Sequence, residues 1–178
     1  RRAARPHRER PLLEPVVING STGWLGRALR QRLATSPLEV RPVEAPGDLL
    51  AACNDAGSVV HLGGGVLSRA RSVGTVLEAT EALVDSVTGS AIERIVFIST
   101  AGASPRARSE YLRATANAEA CLHAFRRDLV ILRCTHVFGP PEDPGEVVEA
   151  LRADSRHRVA VIGSGSQQVA PVYREDVL

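Results

Sequence analysis

Apolar residues along this chain fall into short uninterrupted runs separated by longer stretches of helical period. The runs are Val16 to Ile18, Ser58 to Leu62, Arg94 to Ile98, Leu129 to Leu132 and Val159 to Ile162. Continuous runs of this length mark strands buried on both faces, the condition of a parallel sheet covered by helices. Glu39 to Val43 reads as a weaker strand, and because Pro42 cannot donate to a ladder it belongs toward a sheet edge. Between the strands, Leu25, Ala28, Leu29 and Leu33 form one helical stripe. Val73, Val76, Leu77, Thr80, Leu83, Val84 and Val87 form a longer one. Strand and helix alternate throughout, which predicts a doubly wound α/β fold with a parallel sheet, helices on both faces and right-handed crossovers.

There is no internal repeat, and two stretches interrupt the pattern. The Pro/Gly-rich run Gly139 to Gly145 predicts a long loop. Residues 1–14 form a basic extension: Arg1, Arg2, Arg5, Arg8 and Arg10 stand against Glu9, so the first ten residues carry +4 of a net +2 and the remainder carries −2. Such a tail is expected to be a disordered, solvated extension. The body is therefore not basic, and nucleic acid is not an expected partner. At 178 residues, with 44% hydrophobic and 24% charged content, the rest is large enough for one well-buried domain over residues 15–178. No methionine is present, which suits a piece of a longer protein. No apolar run approaches the roughly 18 residues a membrane span needs. Three cysteines without C-x-x-C spacing, Cys53, Cys121 and Cys134, suggest neither a disulfide framework nor a metal knuckle and fit a reducing cytoplasm.

All 22 basic residues are arginine. With no lysine, Schiff-base chemistry, a P-loop phosphate site and a Tyr/Lys catalytic pair are excluded for this chain acting alone. The strongest local signal is Val16-Val17-Ile18-Asn19-Gly20-Ser21-Thr22-Gly23-Trp24-Leu25-Gly26, an apolar strand running into a glycine turn that opens a helix. Backbone amides at such a helix start can approach a pyrophosphate only where no Cβ intervenes, and the helix dipole favours the negative charge. Three glycines would also make a bare tight turn, but their position after the first strand and before an amphipathic helix favours dinucleotide binding and a Rossmann-like fold.

This turn resembles that of the short-chain dehydrogenase/reductase superfamily, and further segments agree in order. Val59-Val60-His61-Leu62-Gly63-Gly64 is similar to the fourth strand of its extended members, the NAD-dependent epimerase/dehydratase family. Ile95-Val96-Phe97-Ile98-Ser99-Thr100 resembles the fifth strand, and Leu129 to Arg133 with Val137-Phe138-Gly139-Pro140 resembles the sixth strand and its loop. Val161 to Gly165 and Pro171 to Val177 are similar to the segment leading into the family's substrate-binding half, which the resemblance implies is missing beyond Leu178. Without it, Val137, Phe138 and Val172 are expected to form an exposed apolar patch.

In this superfamily a tyrosine serves as general acid/base, a lysine one helical turn later lowers its pKa, and a serine or threonine polarises the substrate oxygen. The resemblance implies Ser99 and Tyr111 as the catalytic pair. The lysine position is Thr115, which can hold a ribose hydroxyl but supplies no charge, so Tyr111 is expected near an ordinary phenol pKa of about 10. Ser99 lies only twelve residues before Tyr111, a spacing closer to atypical members such as NmrA-like regulators and the dinucleotide-binding accessory subunits of respiratory complex I. Glu119 matches an acidic position frequent in those members, and a solvated carboxylate explains it equally well. Two readings stay open: an NAD(P)-dependent oxidoreductase or nucleotide-sugar epimerase/dehydratase relative, and a non-catalytic dinucleotide-binding sensor or assembly protein.

The expected cofactor contacts are Gly20, Ser21, Thr22, Gly23, Trp24, Leu25 and Gly26, then Glu44 for the adenosine ribose, Leu62, Gly63 and Gly64 after the fourth strand, and Thr115. Glu44 favours NAD, whereas Arg41 and Arg27 could meet the extra phosphate of NADP, so both cofactors remain open. Residues 39–58 are too few for the usual two strands and two crossovers, which implies a lost element. His61 reads as a core histidine, Cys134-Thr135-His136 as structural, and Arg106 and Arg108 as a solvated loop. No metal is expected. The expected partners are a small-molecule substrate, a nucleotide sugar by resemblance, and a second copy in a homodimer; a membrane is not.

Overall fold

The computed structural model describes residues 14–44, 46–62, 74–125, 128–145 and 168–178, together with 148, 164 and 166. The basic segment 1–13, Gly63, Gly64, Val73, the strand expected at Val159 to Ile162, and Gly163 and Gly165 lie outside the described residues. The elements are β1 (Val16–Asn19), α1 (Trp24–Leu33), β2 (Val40–Val43), α2 (Pro46–Ala52), β3 (Ser58–His61), α3 (Gly74–Val87), β4 (Arg94–Thr100), α4 (Glu110–Ala124) and β5 (Asp128–Cys134). Two short strands, β6 (Val137–Phe138) and β7 (Val172–Tyr173), and the helical turn α5 (Arg174–Val177) complete them.

Strands β1 to β5 form one all-parallel sheet in the order β2-β1-β3-β4-β5. This is the expected doubly wound Rossmann-like arrangement, and its strand order reverses between β1 and β3. In such sheets a ligand crevice opens beyond the carboxyl ends of the strands at that reversal. β2 lies at the edge, as Pro42 requires. Between β2 and β3 the described residues form only α2, which carries the chain past β1, so among the described residues the sheet ends at β2, one strand short of the usual two.

Register divides the side chains cleanly. Val17, Val59, Ile95 and Leu129 share one row, and Asn19, His61, Phe97 and Ile131 share the next row on the same face. That face is closed by α2, α3 and α4: Leu49, Cys53, Leu83, Val87, Ala118 and Leu122 pack with Val17, Val59, Ile95 and Phe97 into one core. Burial of each large side chain here stabilises by about 1.5–3 kcal/mol. The opposite face carries Ile18, Val60, Val96 and Ile98, with α1 laying Ala28 and Leu29 on the β1 side.

The expectation that all strands are buried on both faces fails at β5. Leu129 and Ile131 pack against the core, but Val130 and Leu132 are 38% and 37% exposed. On that second face α1 packs at the β1–β2 end of the sheet, away from β5. At the expected patch, β6 pairs with β7, Val137 and Val172 are half-buried, and Phe138 tilts against Tyr173 at 5.4 Å between ring centroids while remaining 37% exposed.

Candidate functional site: the crevice at the carboxyl ends of the strands

The turn between β1 and α1 stands at the reversal point, and the fold constrains two of its three glycines. Gly20 has φ 88°, which an L side chain rarely adopts. A Cβ on Gly26 would collide with the Gly20 carbonyl oxygen and lie 2.7 Å from the Ser21 Cα, so Gly26 serves contact between helix and turn. A Cβ on Gly23 would meet only the Gly20 carbonyl, at an ordinary 3.4 Å. Nothing in the protein demands glycine at position 23. The N-cap of α1 is this same Gly23, no side chain caps the helix, and no acidic residue occupies its first turn. The first amides of α1 therefore point their positive end into the crevice with no side chain to neutralise it.

Ser21 is buried in the turn, and its hydroxyl is the one buried side-chain polar atom among the described residues with no hydrogen-bond partner. An unsatisfied buried hydroxyl costs free energy unless something supplies a partner. Together with the bare amides and the space at Gly23, it fits an anionic group such as a dinucleotide pyrophosphate. The Gly20 and Ser21 amides donate to the Val43 carbonyl at 3.1 and 3.4 Å, which brings the end of β2 against the turn and places the exposed Glu44 beside it. Arg41 is not beside the crevice opening. It is engaged by Asp55, Glu39 and the Ala52 carbonyl. Arg27 donates to the Thr22 carbonyl at 2.9 Å. Leu62, half-buried, extends β3 by donating its amide to the Asn19 carbonyl at 3.1 Å.

Beneath the crevice lies a closed neutral network. The Thr80 hydroxyl donates to the Val76 carbonyl at 2.7 Å, so it accepts from His61 Nε2 at 2.9 Å, and Nδ1 is left to accept from the Asn19 amide at 3.0 Å. Burial pushes the His61 pKa down to about 4, and the ring stacks on Phe97 at 5.2 Å. His61 is thus a satisfied core residue.

The residues matched to the catalytic helix are placed differently from one another. Ser99 is buried and donates to Glu119 at 2.5 Å; Arg133 clasps the same carboxylate with bonds of 2.9 and 2.6 Å. Burial opposes ionisation of Glu119, but the Arg133 fork and the Ser99 hydroxyl outweigh it and hold its pKa below the usual range. Glu119 is therefore neither solvated nor free, and Ser99 is bonded inward to α4. Thr115 is also buried, and its hydroxyl donates to the Tyr111 carbonyl at 2.8 Å. Tyr111 is half-buried; desolvation raises its pKa, against a weaker opposing effect of the Thr115 hydroxyl. Thr100, the last residue of β4, is the half-exposed hydroxyl at this strand end. Arg113 ties the preceding loop down through the Ala107 and Arg108 carbonyls, both at 2.8 Å.

Sequence reasoning missed a second ionic cluster, formed by Trp24, Asp143 and Arg174 at the start of α1. Burial disfavours the charged Asp143 carboxylate, but Arg174 and the Trp24 indole outweigh this and lower its pKa. The available signal was a lone tryptophan inside a glycine turn. At Cys134-Thr135-His136 the Thr135 hydroxyl donates to the Ala170 carbonyl and the His136 carbonyl accepts from Val172, so the segment anchors β7. Among the described residues, no three His, Cys, Asp or Glu side chains gather as a metal site.

A family model described as the NAD dependent epimerase/dehydratase family matches residues 16–178. No curated protein matches the chain. Solved structures share the fold at low identity. MoeE5, in complex with UDP-glucuronic acid and NAD, superposes with TM-score 0.73 at 22% identity, covering 92% of this chain and 69% of its own. UDP-glucuronic acid 4-epimerase from Bacillus cereus, in complex with NAD, gives 0.75 at 18%, covering 92% and 71%. The NAD-dependent NDP-hexosamine 5,6-dehydratase TunA gives 0.70 at 21%, covering 92% and 69%.

Proposed function

The chain belongs to the NAD-dependent epimerase/dehydratase family, and from that premise we propose that residues 15–178 form the dinucleotide-binding domain of an enzyme that reworks a nucleotide sugar. The observation that carries the reading is the buried, partnerless Ser21 hydroxyl inside an uncapped glycine turn. The turn from Gly20 to Gly26 holds the pyrophosphate through its amides and Ser21. Glu44 accepts from the adenosine ribose hydroxyls, which favours NAD, since Arg41 is committed to Asp55 and Glu39. Leu62 borders the same crevice beyond β3.

When bound, the nicotinamide supplies and accepts hydride. Tyr111 is the proton relay, assisted by a hydroxyl at the end of β4. Ser99 carries the family resemblance there but is bonded to Glu119, whereas the half-exposed Thr100 hydroxyl donates only a long bond of 3.4 Å to the Ala101 carbonyl. With desolvation raising its pKa and Thr115 in place of lysine, Tyr111 stays a neutral phenol at neutral pH. It can therefore donate a proton to a developing alkoxide more readily than it can take one from an alcohol. The same two facts support a second reading, a protein that binds the dinucleotide without turnover; Thr115 then serves only to hold α4. A homodimer and a cytoplasmic setting, suited to three free thiols, complete the proposal. No described helix is long and apolar enough to cross a membrane.

A Cβ at position 23 meets nothing closer than ordinary contact, so Gly23→Val should fold with a modest loss of stability from the poorer N-cap. Calorimetry with NADH on the folded variant should show affinity at least tenfold weaker, about 1.4 kcal/mol. Equal affinity in variant and parent would reject the turn as the cradle.

A further inference from the structure

The first turn of α1 is tied to two segments more than a hundred residues away. Trp24 Nε1 donates to Asp143 Oδ1 at 2.8 Å. The second carboxylate oxygen accepts from Arg174 Nη1 at 2.5 Å. The Arg174 guanidinium also lies 5.0 Å from the centroid of the Trp24 ring, close enough for cation–π attraction, and its Nε donates to Glu175 at 3.1 Å. The indole is seated against two glycines: a Cβ on Gly139 would lie 2.7 Å from Trp24 Cζ2, and one on Gly145 would lie 3.0 Å from it.

The loop that brings Asp143 here is closed on itself by Gly139 N–H to the Pro144 carbonyl and Asp143 N–H to the Pro140 carbonyl, each at 3.0 Å. Arg174 is only 7% exposed, so its charge is desolvated and depends on Asp143 and Glu175 for compensation. An apolar contact would join these segments with less demand on geometry. A paired carboxylate bonded to both an indole N–H and a buried guanidinium fixes one orientation of all three groups.

That orientation matters because Trp24 is the first residue of α1, immediately after Gly23. Its backbone amide is one of the uncapped donors of the cradle, while its side chain is held from the opposite direction. We infer that Trp24, Asp143 and Arg174 are positioning residues for the dinucleotide: pinning the indole fixes the first helical residue, and with it the amides that receive the pyrophosphate. The inference rests on the reading of Gly20 to Gly26 as the cofactor cradle. It joins that cradle to β6, β7 and α5, so dinucleotide binding and the placement of the 172–178 segment are coupled.

Trp24 is the only tryptophan, so its emission reports the cluster without any ligand. In Asp143→Ala the emission should move to longer wavelength, quenching by acrylamide should rise, and the NADH Kd measured by calorimetry should weaken about tenfold. Asp143→Asn keeps an oxygen for the indole N–H and should recover part of both. Trp24→Phe keeps a ring against Gly139 and Gly145, should fold as the parent does, and should still bind NADH several-fold more weakly. A parent-like Kd in folded Trp24→Phe or Asp143→Ala would overturn the inference, since a merely structural clamp lowers the melting temperature and leaves the affinity of the folded protein alone. Unshifted emission in Asp143→Ala would overturn it as well. If the parent itself binds no NADH, the cradle reading fails and takes the positioning role with it, whereas a binding parent with unaffected variants removes the positioning role alone.

Discussion

The two faces of the sheet are built from the same strands and have different fates. On the face closed by α2, α3 and α4, Val17, Val59, Ile95 and Phe97 are completely buried across three strands. On the other face, burial is complete at Ile18 under α1 and falls away to 38% and 37% exposure at Val130 and Leu132 on β5. The residue types are equivalent, so burial here is set by what covers the strand and not by the strand. The closed face also imposes a rule on its polar groups. Asn19, His61, Thr80, Ser99, Thr115 and Glu119 are all buried, and each has a hydrogen-bond partner, because a dry interface makes an unpaired one costly.

The contrast can be broken most sharply at Phe97. Phe97→Ala removes a fully buried ring stacked on His61 and should cost about 3–5 kcal/mol in urea unfolding; a loss below about 1 kcal/mol would mean that this face is not the core. Next in size is a pH effect on the same face. His61 titrates at about 4 in the folded protein and at 6.5 when exposed, so the unfolded chain binds the extra proton between those values. Stability is fully present above pH 6.5 and should fall as the pH drops, by about 2 kcal/mol at pH 5 and about 3 kcal/mol near pH 4. Glu119 and Asp143, with lowered pKa values, add to the loss further into acid. Urea midpoints from pH 7 to 5, with His61→Phe as the flattened control, measure it; a parent slope no steeper than the control would remove His61 as the cause. The smallest effect belongs to the open face. Val130→Thr and Leu132→Gln should each change stability by no more than about 0.5 kcal/mol, and a loss of about 2 kcal/mol would show that segments outside the described residues cover β5.

Much of the fold could be read from the chain because apolar runs and helical stripes report local cover directly. The glycine turn, the edge position of β2 through Pro42, and the shortened interval before β3 all follow from backbone constraints that sequence states openly. What escaped was pairwise. Glu119 could be a solvated carboxylate or a buried one, and only the arrival of Arg133 on β5 and Ser99 on β4 decides between them. Ser99 and Thr115 had the right identity and spacing for a cleft, but α4 turns both hydroxyls inward. Asp143 and Arg174 lie far from Trp24 in sequence, and no local periodicity announces such a meeting.

The strand order has a consequence for how the chain must fold. β1 precedes both β2 and β3 in the chain, yet it is flanked by the two of them, and its pairing with β3 joins residues 42 apart, Asn19 with His61. β4 and β5 meet across 34 residues, Arg94 with Asp128. Every ladder thus closes a long loop before its contacts repay the lost chain entropy. The apolar run from Val16 to Ile18 must wait, unpaired on one side, until β3 has emerged. Refolding should therefore be slow beside a helical bundle of this size, with the exposed first strand as the point where aggregation competes.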